Sequence, residues 1–158
     1  MTVEHLAVVE SSALLPAAPR SSRSPAVHQV SRRILLAEDD GEMRALVARA
    51  LRLDGYEVIE VDDGGRTLIR LASFYAPAHQ REAFDLLISD IRMPVCSGLQ
   101  ILERLRLAHW KMPAILMTAS GDERMERQAM GLGAVLFSKP FDVDDLRVAV
   151  MRLLRPRP

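Results

Sequence analysis

Short apolar runs alternate with stretches of helical periodicity from residue 32 to residue 155. Residues 33–37, Arg-Ile-Leu-Leu-Ala, predict a first strand. A helix follows, with Asp40 as its N-cap, Met43, Leu46, Val47, Ala50 and Leu51 on one apolar stripe, and Asp54-Gly55 as its stop. Residues 56–61 alternate apolar with polar, the pattern of a half-buried strand at a sheet edge. Residues 67–74 predict a second helix and residues 75–82 a longer polar connection. Residues 84–89 are almost continuously apolar and predict a central strand. Ser97 is placed to cap a third helix that turns Leu99, Leu102 and Leu105 inward. Residues 113–118 predict a fourth strand, 123–130 a Met-rich helix and 135–138 a short fifth strand. Asp142 caps the last helix, with Asp145 at its N3 position and Leu146, Ala149, Val150 and Leu153 as its apolar set.

Five strand–helix units in this order predict an α/β fold: a parallel sheet covered on both faces by right-handed crossovers. The doubly wound, flavodoxin-like (βα)5 arrangement has strand order 2-1-3-4-5 and binds ligands beyond the carboxyl ends of its strands, where the order reverses. Residues 1–31 are rich in Ser, Ala and Pro without periodicity and read as a disordered arm. Residues 32–155 hold everything expected to fold, and 156–158 form a tail.

Charge narrows the function classes. The 21 basic and 21 acidic residues balance, so no overall field directs the chain to nucleic acid or to an acidic membrane. No apolar run approaches the ~20 residues that span a bilayer, and the start of the chain lacks the basic and apolar regions of an export signal. The single Cys96 excludes an internal disulfide and fits a reducing compartment, so a cytoplasmic protein is expected.

The candidate chemistry lies at strand ends. Glu38-Asp39-Asp40 follow the first strand and Asp90 ends the third. In the 2-1-3-4-5 order these strands are neighbours, so Glu38 and Asp39 face Asp90 across the switch point. Crowded carboxylates of this kind suit a hard divalent cation such as Mg²⁺. Thr118 ends the fourth strand with a hydroxyl, and Lys139 follows the fifth with an ammonium. A cation, a hydroxyl donor and a second positive charge around a carboxylate are what a phosphoryl group on that carboxylate requires.

Other features have plainer readings. Asp62-Asp63-Gly64-Gly65 reads as a turn and helix cap, because it lacks the spaced acids of a calcium loop. Met125 and Met130 read as core filling and Trp110 as a cover for its own core. His5, His28, His79 and His109 are scattered and form no metal motif. Cys96 stands near the acids without an argument for reactivity.

The segment Asp90-Ile91-Arg92-Met93-Pro94-Val95-Cys96-Ser97-Gly98, with Glu38-Asp39 before it, Thr118-Ala119 after it and Lys139-Pro140-Phe141 last, resembles a response-regulator receiver domain over roughly residues 32–155. The resemblance implies that Asp90 accepts a phosphoryl group from a phosphohistidine of a sensor histidine kinase or phosphotransfer protein. It implies that Mg²⁺ is held by Asp39 directly, by Glu38 through water, by Asp90 and by the backbone carbonyl of Arg92. Thr118 would bond a phosphoryl oxygen, Lys139 would pair with another, Ala119 would leave the site open and Pro140 would follow a cis bond. The implied protein is a stand-alone signalling switch rather than an enzyme, with no direct nucleic-acid or membrane partner. Its output would pass to a separate effector through the fourth helix, fifth strand and fifth helix, a face also open to a homodimer.

Two departures from the family pattern stand out. An aromatic residue usually lies a few positions before the lysine, whereas here Leu136 is three back and Phe137 two back. Arg92, two positions after Asp90, bears on how water reaches the phosphoryl group. Two other functions compete with the switch. One is an interaction module that uses the fold without phosphorylation. The other, ranked last, is a phosphohydrolase, which would need a second acid where Arg92 stands.

Overall fold

A computed structural model of the chain describes residues 31–73, 83–119 and 122–155. The predicted arm before Ser31, the connection over 75–82, the tail, and His5, His28 and His79 lie outside these residues. The elements are β1 (Arg33–Ala37), α1 (Gly41–Leu53), β2 (Glu57–Val61), α2 (Gly64–Ser73), β3 (Leu86–Asp90), α3 (Gly98–Leu107), β4 (Ala114–Thr118), α4 (Glu123–Gly131), β5 (Ala134–Ser138) and α5 (Val143–Leu154). Every strand pairing is parallel and the sheet order is β2-β1-β3-β4-β5. This is the doubly wound order expected from the alternation of runs.

Side-chain alternation along the strands builds two cores. Leu35, Leu87 and Leu116 face Leu71 of α2, Leu102 of α3 and Ala129 of α4. Ile34, Leu36, Ile88, Ile115 and Met117 face Val47 and Leu51 of α1 and Leu146 and Val150 of α5. Strands β3 and β4 are buried at every position, which is why they read as nearly continuous apolar runs that turn polar only at their carboxyl ends. Fully burying one such Leu or Ile contributes about 1.5–3 kcal/mol.

The caps hold the helices where the sequence placed them. Asp40 accepts from the Glu42 and Met43 amides at 2.9 Å each, and Ser97 forms a capping box with Gln100. Asp142 accepts from Asp144 N at 2.8 Å. A further cap, Asp122, accepts from Met125 N at 2.7 Å. At the open edge of the sheet, Arg52 of α1 donates to Val58 O at 2.8 Å and to Glu60 Oε1 at 2.7 Å. This cation covers an outward carbonyl of β2 and blunts an edge that another strand could otherwise pair with.

Three expectations need correction. Helix α2 begins at Gly64 rather than at residue 67, because Asp63 Oδ1 accepts from Arg66 N at 2.7 Å and starts the helix early. Leu46 is 52% exposed; the buried stripe of α1 is Val47, Ala48 and Leu51, since the helix meets the sheet along a narrower face. Met130 is 71% exposed at the end of α4 and fills no core, whereas Met125 packs against one. No helix among the described residues is long and apolar enough to cross a membrane.

Candidate functional site

The carboxyl ends of β1, β3, β4 and β5 bring the candidate residues to one rim. Glu38 directly follows β1 and is fixed by its backbone: its amide donates to Val61 O at 3.1 Å, and its carbonyl accepts from Arg44 Nη1 at 2.7 Å. Its side chain is 1% exposed. Oε1 accepts from Asp40 N at 3.2 Å, and Oε2 accepts from Lys139 Nζ at 2.7 Å. Lys139 is seated by its own amide, which donates to Thr118 O at 2.7 Å and carries the β4–β5 ladder one residue further. The Lys139–Pro140 bond is cis.

Asp90 is the last residue of β3 and is buried. Its Oδ2 lies 3.4 Å from Lys139 Nζ, and its Oδ1 accepts from Arg92 N at 3.4 Å. Asp39 is exposed at the mouth, and one carboxylate oxygen each from Glu38, Asp39 and Asp90 lie within 4.8 Å of one another. Thr118 is fully buried at the end of β4, where the register sets Asp90 beside Met117, its neighbour in the chain. Its hydroxyl lies 3.9 Å from Met125 Sδ of α4. A cleft of ≈ 570 Å³ opens beside the acids, lined by Asp39, Arg92, Met93, Pro94, Ser97 and Met125 among others. Another, of ≈ 620 Å³, lies over the β2 edge between Arg44 and Arg70 and holds none of the three carboxylates.

Burial is the main reason that the Glu38 carboxyl is pushed above its ordinary value; the Asp90 charge adds to this and the Lys139 hydrogen bond opposes it. Burial likewise pushes Asp90 up, against the pull of Lys139. For Lys139, burial favours the neutral amine, but the hydrogen bond to Glu38 and the charges of Asp90 and Glu38 outweigh it and raise its pKa. Asp40 is held low by the Met43 amide foremost and serves as a cap, outside the cluster. Three carboxylates against one ammonium leave the pocket short of positive charge. Its donors are hard oxygens, the type that a small divalent cation takes.

Thus Glu38, Asp39, Asp90 and Lys139 converge by direct distance, while Thr118 arrives through strand register and Arg92 through its amide. The aromatic question has a geometric answer. Leu136 pairs with Leu116 and faces the α3–α4 side, whereas Phe137 pairs with Met117 on the opposite side, edge-to-face with Phe141 at 5.5 Å. An aliphatic side chain therefore fills the position three before the lysine.

Two site residues were missed in the sequence. Arg44 braces the Glu38 carbonyl; a cation in the first turns of a helix runs against the helix dipole, and that anomaly was the available signal. Gly98 allows α3 to approach the site, since a Cβ there would lie 2.4 Å from Asp90 O. Its place in the quoted segment was the only hint.

Known proteins resemble this chain over its folded part. The response regulator receiver domain family matches residues 34–151. Sporulation initiation phosphotransferase F of Bacillus subtilis is 29% identical over 126 residues, covering 79% of this chain and 95% of that protein. Regulatory protein AtoC of Escherichia coli is 34% identical over 124 residues, 78% of this chain but only 25% of AtoC. The chain thus spans about a quarter of that relative. The solved structure of chemotaxis protein CheY4 from Vibrio cholerae is 27% identical with a TM-score of 0.65, covering 78% of this chain and 99% of that one. With its five-stranded order and a matched segment that runs from β1 into α5, this chain belongs to the response regulator receiver domains, the signalling switches of two-component systems.

Proposed function

We propose that the chain is a phosphoacceptor switch in which Asp90 takes a phosphoryl group from a phosphohistidine of a sensor histidine kinase or phosphotransfer protein, in a Mg²⁺-dependent reaction in the cytoplasm. The observation that carries this reading is the convergence of Glu38, Asp39 and Asp90 within 4.8 Å, with Lys139 at 2.7 Å from Glu38 and 3.4 Å from Asp90. An Asp90 carboxylate oxygen attacks phosphorus, the P–N bond breaks, and the imidazole nitrogen keeps the electron pair. Lys139 and the Thr118 hydroxyl bind the phosphoryl oxygens that arrive. Held by Asp39, Asp90, the Arg92 carbonyl and, through water, Glu38, Mg²⁺ would neutralise the negative charge gathering on those oxygens. The name of the Bacillus subtilis relative, a phosphotransferase, supports the assignment of reaction class.

Phosphorylation then shifts an equilibrium between two states, because the added charge is bound differently by Thr118 and Lys139 in each. The output surface is the α4–β5–α5 face, where Met130, Val135, Val148 and Met151 are exposed and available to an effector or a second copy of the chain. Acetyl phosphate with Mg²⁺ should add about 80 Da, the mass of one phosphoryl group, in a hydroxylamine-labile form. The variant Asp90→Asn should show no such gain; an equal adduct on it rejects Asp90 as the acceptor.

The presence of Leu136 in place of an aromatic favours a second reading, an interaction module that works without phosphorylation. Failure of Mg²⁺ to perturb the Asp90 region in a titration would decide for that module.

A further inference from the structure

The loop between β3 and α3 is held in a conformation that its own sequence disfavours. Val95 has φ 72, in the left-handed region, and is 85% exposed. A β-branched residue rarely adopts that backbone, and such strain persists only where the surroundings over-determine it. The surroundings here are the start of α2. Gly64 N donates to Pro94 O at 3.1 Å, and a Cβ on Gly64 would lie 1.9 Å from Cys96 O and 2.7 Å from Cys96 C. Those are backbone atoms, so any side chain at position 64 must displace the loop. Gly65 is less confined: a Cβ there would meet Val95 Cγ1 and Asp63 Oδ1 at 3.2 Å each. At the far end of the loop, Gly98 N donates to Ile91 O at 3.1 Å. Between these two anchors stands Arg92, whose amide reaches Asp90.

We propose that the N-terminus of α2, acting through Gly64, is a positioning element for the acidic site: by seating Pro94 and Cys96 it fixes the Arg92 backbone against Asp90 and so sets the affinity of the carboxylates for Mg²⁺. This rests on the proposed Mg²⁺ site. Gly64 itself touches none of the three carboxylates; it acts through the loop.

The test compares wild type, Gly64→Ala and Gly65→Ala as full chains, titrated with Mg²⁺ while the backbone amide signals of residues 90–92 are followed. Gly64→Ala should bind Mg²⁺ at least about tenfold more weakly, the usual cost of disturbing an outer support, and Gly65→Ala should stay within about twofold. A glycine that only keeps the fold unclashed would lower the melting temperature of Gly64→Ala yet leave the Mg²⁺ affinity of the folded protein unchanged, and that result overturns the proposal. If Gly64→Ala does not fold, the wild type decides. Its Gly64 amide should be protected from hydrogen exchange without metal, and at Mg²⁺ saturation it should gain more protection than core amides of α1 and α5, which report global stability alone; a gain at Gly64 no larger than theirs overturns the proposal equally. Absence of Mg²⁺ binding by the wild type rejects the site and this inference together, whereas wild-type binding with an unaltered Gly64→Ala rejects this inference alone.

Discussion

Asp90 and Glu38 are buried side by side with one ammonium between them, and each is harder to ionise than a free carboxyl. A carboxyl whose pKa is raised on folding makes the folded state less stable once the pH exceeds the ordinary value, because the unfolded chain releases its proton more readily. Without a divalent cation, Asp90 is therefore a burden on stability at neutral pH. Asp90→Asn, studied with a chelator present, should stabilise the protein by about 1 kcal/mol, the common size of a favourable single change. The gain should shrink as the pH falls towards the ordinary carboxyl range, where the wild-type acids take up their protons. Urea midpoints of the two proteins across that range measure it, and an Asp90→Asn variant less stable than wild type at neutral pH would contradict the charge argument. The acids and the lysine were legible because each ends or follows an apolar run. The closer attachment of Lys139 to Glu38, across 101 positions of chain, was not, since strand-end placement says which residues meet but not which pair is nearer.

At the scale of elements, caps were legible and coverage was not. Asp40, Ser97 and Asp142 announce their helices with side-chain oxygens, and Asp63, read as part of a turn and helix cap, does the same for α2; the poor helix formers Gly64-Gly65 after it are why the start was still set three residues late. Likewise periodicity marks an apolar stripe without saying how much of it a neighbour covers, hence the exposed Leu46 and Met130. Ser97→Ala removes one half of the α3 capping box and should cost about 1 kcal/mol in denaturant unfolding. A loss near zero would mean that water replaces the cap. Arg147 of α5 reaches the C-cap of α1, its Nε donating to Asp54 Oδ2 at 2.8 Å, while its Nη1 donates within its own helix to Asp144 Oδ1 at 2.6 Å. The hydrogen bond from Arg147 is the main cause holding Asp54 below its ordinary value of 3.8. Stability from a depressed carboxyl is fully present above the unfolded value and disappears as the pH falls through the folded one. Arg147→Met should therefore show a small, constant deficit at neutral and mildly acid pH that closes at lower pH. A deficit that does not close assigns Arg147 to packing of its stem rather than to charge.

The whole molecule joins these scales, because the site exists only when the sheet does. Glu38 and Asp39 follow β1, Asp90 ends β3 and Lys139 follows β5; no local segment holds the cluster. Right-handed crossovers and the alternation of runs made a parallel, doubly wound sheet legible, and the flavodoxin-like class expected from it supplied the order that is observed. A cation bound by ligands from β1 and β3 therefore binds the folded chain and not the unfolded one, so its binding energy must appear as global stability. At a free Mg²⁺ concentration about a hundredfold above its dissociation constant, unfolding should become harder by about 2.7 kcal/mol, and the increment should grow with the logarithm of concentration. Asp39→Asn sharpens the test. Asp39 is exposed, unlike Glu38 and Asp90, so its loss should leave metal-free stability close to that of wild type while abolishing most of the Mg²⁺ increment. Chemical unfolding of both proteins with chelator and with rising Mg²⁺ separates the cases. An increment equal in the two would place the ion elsewhere on the molecule, and none in either would leave the acidic rim without the cation that its crowding calls for.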